Sequence, residues 1–228
     1  MKRRLASVII GAACIAAAAP ATAATVLSWD STDIGQTQNA DFIGLVDGAV
    51  TAGLTASIDY TLQSIVGNDW TFGYSVQNTS SAPITASRVS VFGFDVTPDI
   101  LTSASTGVYD DFTANGNVPQ IGFREACYSQ VNCAGGGGAG ALIGQTLGGT
   151  FTLTFAAAQD DLSLENLFVR YQSIDAPTLG IQGGSGTGIP GNGGGVIPEP
   201  GTWMMMIVGF GAVGTMVRSA RRRKYAIA

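Results

Sequence analysis

The chain contains no histidine. This excludes a Ser-His-Asp triad, a Cys-His dyad and any histidine-ligated metal site. Charged residues make up only 12% of the chain, against 46% hydrophobic residues, and that composition is too apolar for general disorder. A length of 228 residues suits one domain of ordinary size with additional segments.

Positive charge is nearly absent from the central part of the sequence. Between Asp30 and Asp175 there are 15 acidic residues and three arginines but no lysine, so the net charge of this part is 3 − 15 = −12. Such a body repels phosphate groups, and we therefore expect no nucleic-acid partner. The other basic residues lie at the two ends, next to apolar runs.

The N-terminal run has the three parts of a secretory signal peptide. Basic residues 2–4 precede an apolar stretch over 5–19, and Ala21 and Ala23 form an A-x-A site. We expect signal peptidase to remove residues 1–23. The alternative is a permanent anchor, but a run of about 15 residues is short for a span that needs about 20. Cys14 is a poor candidate for a lipoprotein cysteine, because residues 11–13 lack the leucine-like residue expected before such a site.

The C-terminal run predicts a single short transmembrane helix over residues 203–217. An uncharged helix of this length spans about 22 Å, which is short for a bilayer core of about 30 Å. Trp203 suits one interface, and the basic tail 218–228 stays cytoplasmic by the positive-inside bias. The simplest alternative is a plain stop-transfer anchor. The residues that set this topology are Arg218, Arg221, Arg222, Arg223 and Lys224.

The residues just before this run carry a specific pattern. Residues 196–203 read V-I-P-E-P-x-x-W, followed by the short apolar run and the arginine-rich end. Residues 198–228 therefore resemble the PEP-CTERM protein-sorting signal in its PEPxxW variant, although Met204 stands where many members have alanine. The resemblance implies that an exosortase recognises Pro198, Glu199, Pro200 and Trp203 and removes the tail near them.

Glycine dominates the segment before the motif. Residues 178–197 show no apolar period and predict a flexible linker. For its glycine-dominated part, residues 178–195, a flexible coil of about 18 residues has a mean span of about 21–25 Å. We expect this linker to hold the folded body clear of the membrane.

Residues 24–177 alternate between apolar and polar side chains, the pattern of half-buried strands. Short strands with polar connections predict an all-β ectodomain, an antiparallel β-sandwich, flanked by the signal helix and the transmembrane helix. The alternation is clearest over 56–62, 70–76 and 150–155 and over 167–171. In a further strand, 89–96, the apolar phase shifts at Gly93, which predicts a bulge there.

Two cysteines remain after removal of the signal peptide. Cys127 and Cys133 are expected to form a disulfide, since the body is exported. A metal site lacks further ligands here, and a redox pair lacks C-x-x-C spacing. The loop of seven residues would contribute about 2.4 kcal/mol.

The body carries a second, looser resemblance. The runs 91–99, 117–119 and 169–174, together with the two cysteines, are similar to the cistern-type family of PEP-CTERM proteins. That resemblance implies an exported protein of undefined biochemical activity.

Acidic pairs are the only candidates for chemistry in the body. Asp110-Asp111 and Asp160-Asp161 are adjacent, and Asp95 and Asp99 flank Thr97-Pro98. Their carboxylates could coordinate calcium, although the D-x-D-x-D-G spacing of a calcium loop is absent. They could also act as the acid/base pair of a glycosidase. We expect solvated loop acids, with no catalytic residue, no metal site and no cofactor.

The prediction is therefore a non-enzymatic exported protein of a Gram-negative bacterium. Its precursor would be anchored transiently in the inner membrane with a periplasmic body, and the processed form would reach the cell surface or the extracellular matrix. The resemblance implies a setting of exopolysaccharide and biofilm formation, with a structural or adhesive role and exopolysaccharide as a partner. The alternative is a surface module that binds carbohydrate or calcium.

Overall fold

The computed structural model describes residues 25–135 and 138–191, and this part is built almost entirely of strands. One 3-10 turn, Pro177–Leu179, precedes the last strand. The twelve strands are β1 (Leu27–Asp30), β2 (Thr37–Val46), β3 (Ala49–Val66), β4 (Asp69–Asn78), β5 (Ala86–Thr97), β6 (Thr102–Ser105), β7 (Asp111–Val118), β8 (Gly122–Ser129), β9 (Ala141–Leu142), β10 (Thr146–Thr154), β11 (Asp161–Ala176) and β12 (Ile181–Pro190).

All twelve strands belong to one antiparallel sheet. Ten of them follow the order β6-β10-β4-β3-β2-β12-β11-β5-β8-β7, while β1 pairs with β11 and β9 with β5. The strands at the two ends of this order, β6 and β7, are joined by residues 106–110 alone, so the sheet must curl until its ends approach. Ser103 on β6 and Tyr128 on β8 share a hydrogen bond of 2.8 Å across this seam.

The all-β antiparallel prediction is confirmed, but the two sheets of a sandwich are replaced by one nearly closed sheet. The physical reason lies in the long strands. β3 has 18 residues and β11 has 16, and each carries register shifts that let it bend. A bent strand continues from one side of the core to the other, so the hydrogen-bonded ladder does not break into two layers.

The core fills the inside of the curled sheet. Alternate residues of β3 and β4 point inward, as the sequence pattern predicted, and Ile58, Tyr60 and Phe72 are fully buried. Phe151 on β10 lies at the centre, with its ring centroid 5.2 Å from that of Phe72 and 5.1 Å from that of Tyr128. Phe72 is the cross-strand partner of Phe151 on β4, whereas Tyr128 comes from β8 near the other end of the strand order, so Phe151 packs the two ends of the sheet together. Burial of such aromatic rings is a major source of stability.

Strand β5 is buried on both faces, which explains the phase shift in its sequence. Its outer face joins a second, small cluster that includes Val91, Cys127 and Phe168. Gly93 pairs with Phe168 at the edge of a register shift, but the extra residue there is on β11, between Glu165 and Phe168. β5 has an extra residue of its own at Ser90, between its pairs with Arg170 and Tyr171. A Cβ atom at Gly93 would overlap the carbonyl oxygen of Ala126 and would lie 2.7 Å from the Phe168 ring, so glycine is needed there for close packing.

The linker prediction over residues 178–197 is wrong as far as the structure describes that segment. Residues 181–190 form β12, which lies inside the sheet between β2 and β11. Its glycines let neighbours approach: a Cβ atom at Gly186 would lie 2.5 Å from the carbonyl oxygen of Leu45. The folded body therefore extends past the predicted boundary at residue 177, at least to Gly191, whose backbone N–H donates to the Asp41 carbonyl at 2.7 Å.

Candidate functional site

A groove opens between the C-terminal end of β5 and strands β7 and β8. Its volume is about 460 Å³, within the range of about 300–1,000 Å³ that small-molecule sites occupy. The loop 98–101 between β5 and β6 forms one wall, and β7 and β8 contribute the opposite side. The lining mixes carboxylates, a guanidinium, hydroxyls, an amide and apolar side chains.

Glu125 on β8 fixes one wall of this groove. Its carboxylate accepts backbone hydrogen bonds from Val96 at 2.8 Å and from Ile100 at 2.6 Å. Burial raises the pKa of Glu125 above its ordinary value, although these two hydrogen bonds lower it, and the nearby carboxylates of Asp99 and Asp95 raise it further. Glu125 thus ties the β5–β6 loop to β8 and gives the groove a fixed shape.

Asp95 is the second fixed carboxylate. It accepts hydrogen bonds from the Glu125 backbone N–H and from the Asn166 side chain, both at 2.9 Å. The guanidinium Nε of Arg124 lies 4.0 Å from its Oδ2. Asp95 and Arg124 therefore offset each other's charge at one side of the groove.

The rim of the groove exposes apolar surface. Phe123 on β8 is 68% exposed and Leu101 is 70% exposed, and both line the groove. Every other aromatic side chain in residues 25–135 and 138–191 is buried or half-buried. Asp99 is also exposed, and within the described residues its carboxylate accepts no hydrogen bond. The rim thus presents an open aromatic face beside an open acceptor.

The acidic residues singled out from sequence are only partly brought together. Asp95 and Asp99 both line the groove with Glu125, a residue that no sequence pattern distinguishes. The two adjacent acidic pairs do not line it: Asp111 accepts from the Ser129 hydroxyl at 3.4 Å, and Asp161 lies opposite Asp30 in the sheet. Within residues 25–135 and 138–191, no three acidic or cysteine side chains converge in a way that would hold a metal ion.

The predicted disulfide between Cys127 and Cys133 is present, which confirms that prediction. Both cysteines are buried in the small outer cluster, and the disulfide anchors the loop after β8. The buried side chain of Arg170 holds the same loop by donating to the carbonyl of Ala134 at 2.7 Å. This corner of the fold is therefore fastened by a covalent bond and by a charged hydrogen bond.

Both ends of the folded body leave it at one place, which we call the exit point. β1 pairs with residues 161–164 of β11, and β12 pairs with residues 169–176. Both lie on the same side of β11, because β5 occupies the other side along both stretches. β12 runs toward the start of β1, so the registers place both Thr25 and Gly191 beside residues 165–168 of β11.

The remaining predicted sites fall beyond the described residues. They are the signal-cleavage residues Ala21 and Ala23, the motif residues Pro198, Glu199, Pro200 and Trp203, and the basic residues Arg218, Arg221, Arg222, Arg223 and Lys224. The signal helix over 1–23 and the transmembrane helix over 203–217 also lie there. In the part of the chain that the structure describes, no helix has the length and apolarity to cross a membrane.

Comparison with known families decides the nature of the C-terminal segment. Residues 196–223 match the PEP-CTERM protein-sorting motif. Comparison with curated proteins and with solved structures gave no match. The PEP-CTERM match begins five residues after Gly191, the last described residue, so this motif follows the exit point directly.

The PEP-CTERM motif indicates an exported protein that an exosortase sorts. It implies a membrane-anchored precursor that is processed at the cell envelope, with the exosortase as the processing partner. The match at residues 196–223 does not cover the folded body, whose activity therefore depends on its own geometry.

Proposed function

We propose that the protein is a structural or adhesive component of the surface or extracellular matrix of a Gram-negative bacterium and has no catalytic activity of its own. The PEP-CTERM match at residues 196–223 carries this proposal, because it assigns the chain to export and sorting. The signal peptide over 1–23 and the anchor over 203–217 belong to the same proposal. Exopolysaccharide is its expected surrounding, as the family resemblance implies.

The body has features that suit an exposed location. Its disulfide needs an oxidising compartment, and the disulfide closes a short loop in a fold without α-helices in the described residues. The net charge of −12 over the body, which disfavours self-association, keeps such a domain soluble outside the cell. The resemblance to the cistern-type family is part of this proposal.

The position of the motif relative to the sheet sets the geometry of processing. Only residues 191–197 separate the end of β12 from Pro198. At about 3.3–3.6 Å per residue this stretch reaches at most about 25 Å. An exosortase that acts on Pro198, Glu199 and Pro200 in the PEPxxW variant would therefore work close to the folded body, with the exit point facing the membrane.

The test compares the wild-type chain with the Glu199→Ala variant in a Gram-negative host that carries an exosortase system. Mass spectrometry of both termini should show a wild-type protein that begins after Ala23 and lacks its arginine-rich tail. The Glu199→Ala protein should remain in the inner membrane with the tail attached. An Asp160→Ala variant, changed at an exposed acid of the body outside the exit point, should be processed like wild type.

Two results would contradict the proposal. One is intact wild-type protein in the cytosol with free thiols at Cys127 and Cys133. The other is unchanged processing of the Glu199→Ala variant. A structural or adhesive role further requires the processed protein in surface or matrix extracts and no turnover by the purified chain; a measurable turnover that a single Asp→Asn change abolishes would show an enzyme instead.

A further inference from the structure

We infer that the groove between β5, β7 and β8 is a binding site for an uncharged polyhydroxylated ligand, a neutral oligosaccharide segment. The inference rests on the proposed function only for the place where the protein would meet such a ligand. The groove itself belongs to the folded body, whatever happens to the sorting segment.

The first argument is the shape and rigidity of the groove. Glu125 fixes the β5–β6 loop through two backbone hydrogen bonds, and Asp95 is fixed by the Glu125 N–H and by Asn166. These contacts hold the walls before any ligand arrives. A preformed groove loses less conformational entropy on binding, because its side chains are already ordered.

The second argument is the exposed aromatic ring. The fold buries or half-buries all its other described aromatic side chains, yet Phe123 leaves 68% of its surface in water at the groove rim. Leu101, at 70%, lies on the same groove. Apolar surface that a well-packed domain leaves exposed beside a cavity is characteristic of ligand contact. The C–H face of a sugar ring is an apolar surface that fits a flat aromatic ring.

The third argument is the distribution of charge, which selects among ligand classes. The groove contains the carboxylates of Asp95, Asp99 and Glu125 and a single cation, Arg124, which lies beside Asp95. An anionic sugar or a phosphate would meet uncompensated negative charge. The described acidic side chains do not converge to hold a metal ion, so a cation bridge is not built in.

Neutral hydroxyl groups fit this lining from both sides. They donate hydrogen bonds to the open carboxylate of Asp99, and they accept them from the Arg124 guanidinium and from the Thr102 hydroxyl and Asn115 amide. A hydroxylated ring with one apolar face therefore satisfies the acceptors, the donors and the exposed Phe123 together. Bonds to the charged acceptor and donor are the stronger ones.

The experiment measures binding to the full chain purified in mild detergent. Titration calorimetry is the suitable readout, because Trp29 and Trp70 are buried and would not report on the groove. The probes are the neutral hexasaccharides cellohexaose, maltohexaose, xylohexaose and the chitin hexamer. An anionic galacturonan hexamer, a cationic glucosamine hexamer and a lysine-rich peptide are the comparison ligands.

We expect at least one neutral hexasaccharide to bind more tightly than the charged ligands. Phe123→Ala should weaken that binding at least tenfold, and Asp99→Asn should weaken it several-fold. Leu142→Ala is the matched control: Leu142 is also exposed, at 50%, but lies on β9 away from the groove, and this variant should bind like wild type. Thermal unfolding of each variant confirms that it is folded.

The inference is overturned if no neutral hexasaccharide binds to the folded chain, or if Phe123→Ala leaves the affinity unchanged. Binding of the glucosamine hexamer or the lysine-rich peptide alone would also overturn it, since that result assigns the groove to a cationic partner. None of these outcomes depends on exosortase processing, so a failed sorting experiment and a failed binding experiment remain distinguishable.

Discussion

Replacing Gly186 by alanine tests whether the glycine-rich segment is a strand or a tether. The new Cβ atom would lie 2.5 Å from the Leu45 carbonyl oxygen, 3.1 Å from Ile174 Cδ1 and 3.3 Å from Val46 Cγ2. The carbonyl belongs to β2, which is paired with β3 and with β12 itself, so no side-chain rotation relieves the overlap. Overpacking of this kind costs about 1–3 kcal/mol.

A smaller effect opposes this cost. Alanine restricts the unfolded chain more than glycine does, which stabilises the folded state by about 0.4–1 kcal/mol. The net expectation is a loss of about 1–2 kcal/mol in the free energy of unfolding. For a domain of this size the melting temperature should fall by about 2–8 °C, from about 2–4 °C per kcal/mol.

The assay is thermal unfolding followed by circular dichroism, with Gly191→Ala as the matched control. A Cβ atom at Gly191 would lie 3.4 Å from Ile43 Cγ2 and 3.6 Å from the Asp41 carbonyl oxygen, which are ordinary contacts. That variant should therefore melt within about 2 °C of wild type, as expected for a change of about 0.5 kcal/mol or less. A Gly186→Ala protein that melts at or above the wild-type temperature would refute the placement of β12, because it is the behaviour of a flexible linker.

Three further predictions concern the body. Reduction of the Cys127–Cys133 disulfide should lower the free energy of unfolding by about 2.4 kcal/mol in urea titrations; a double Cys→Ser variant should not respond to the reductant. Asn78→Ala should cost about 1–3 kcal/mol and lower the urea midpoint, since the buried Asn78 amide donates to the carbonyls of Ser87 and Ala141 at 3.2 and 3.1 Å; an unchanged midpoint would contradict those bonds. Burial raises the pKa of Glu125, so the stability that this carboxyl contributes is fully present below its ordinary pKa of 4.5 and is lost as the pH rises through the pKa of the folded state. Glu125→Gln should therefore flatten the decline of the urea midpoint above pH 4.5. Equal slopes of urea midpoint against pH in the two proteins would show that Glu125 is not responsible.

The strands with strict alternation were predictable from the sequence, because one of their faces lies on the core. Ala56, Ile58, Tyr60 and Leu62 in β3 are all buried as their spacing predicts. β12 was not predictable in this way. Its small residues carry no apolar period, and the space they leave is filled by side chains from strands far away in sequence. A glycine-rich strand in a crowded sheet and a glycine-rich flexible linker have the same amino-acid composition, so only the neighbouring strands distinguish them.

The groove was predictable only in part, for a related reason. Asp95 and Asp99 stand out in sequence beside a proline turn, but Phe123 and Glu125 lie about thirty residues further along in a stretch without a recognisable motif. The pairing of β5 with β8 brings the two stretches together. The curl of the sheet could also not be predicted from the sequence, because it depends on the short connection between β6 and β7 and on register shifts in β3 and β11.

The place of β12 in the sheet has a consequence for timing. Without it, β2 and β11 lack their shared neighbour, and the hydrogen-bonded ladder is interrupted between β6-β10-β4-β3-β2 and β11-β5-β8-β7. For a chain that crosses the membrane from its N-terminus, residues 181–190 are the last part of the body to emerge, immediately ahead of the motif at 196–223. The sheet can therefore be completed only when the sorting motif is itself about to cross the membrane. Folding of the body and exposure of the sorting motif thus become nearly simultaneous events.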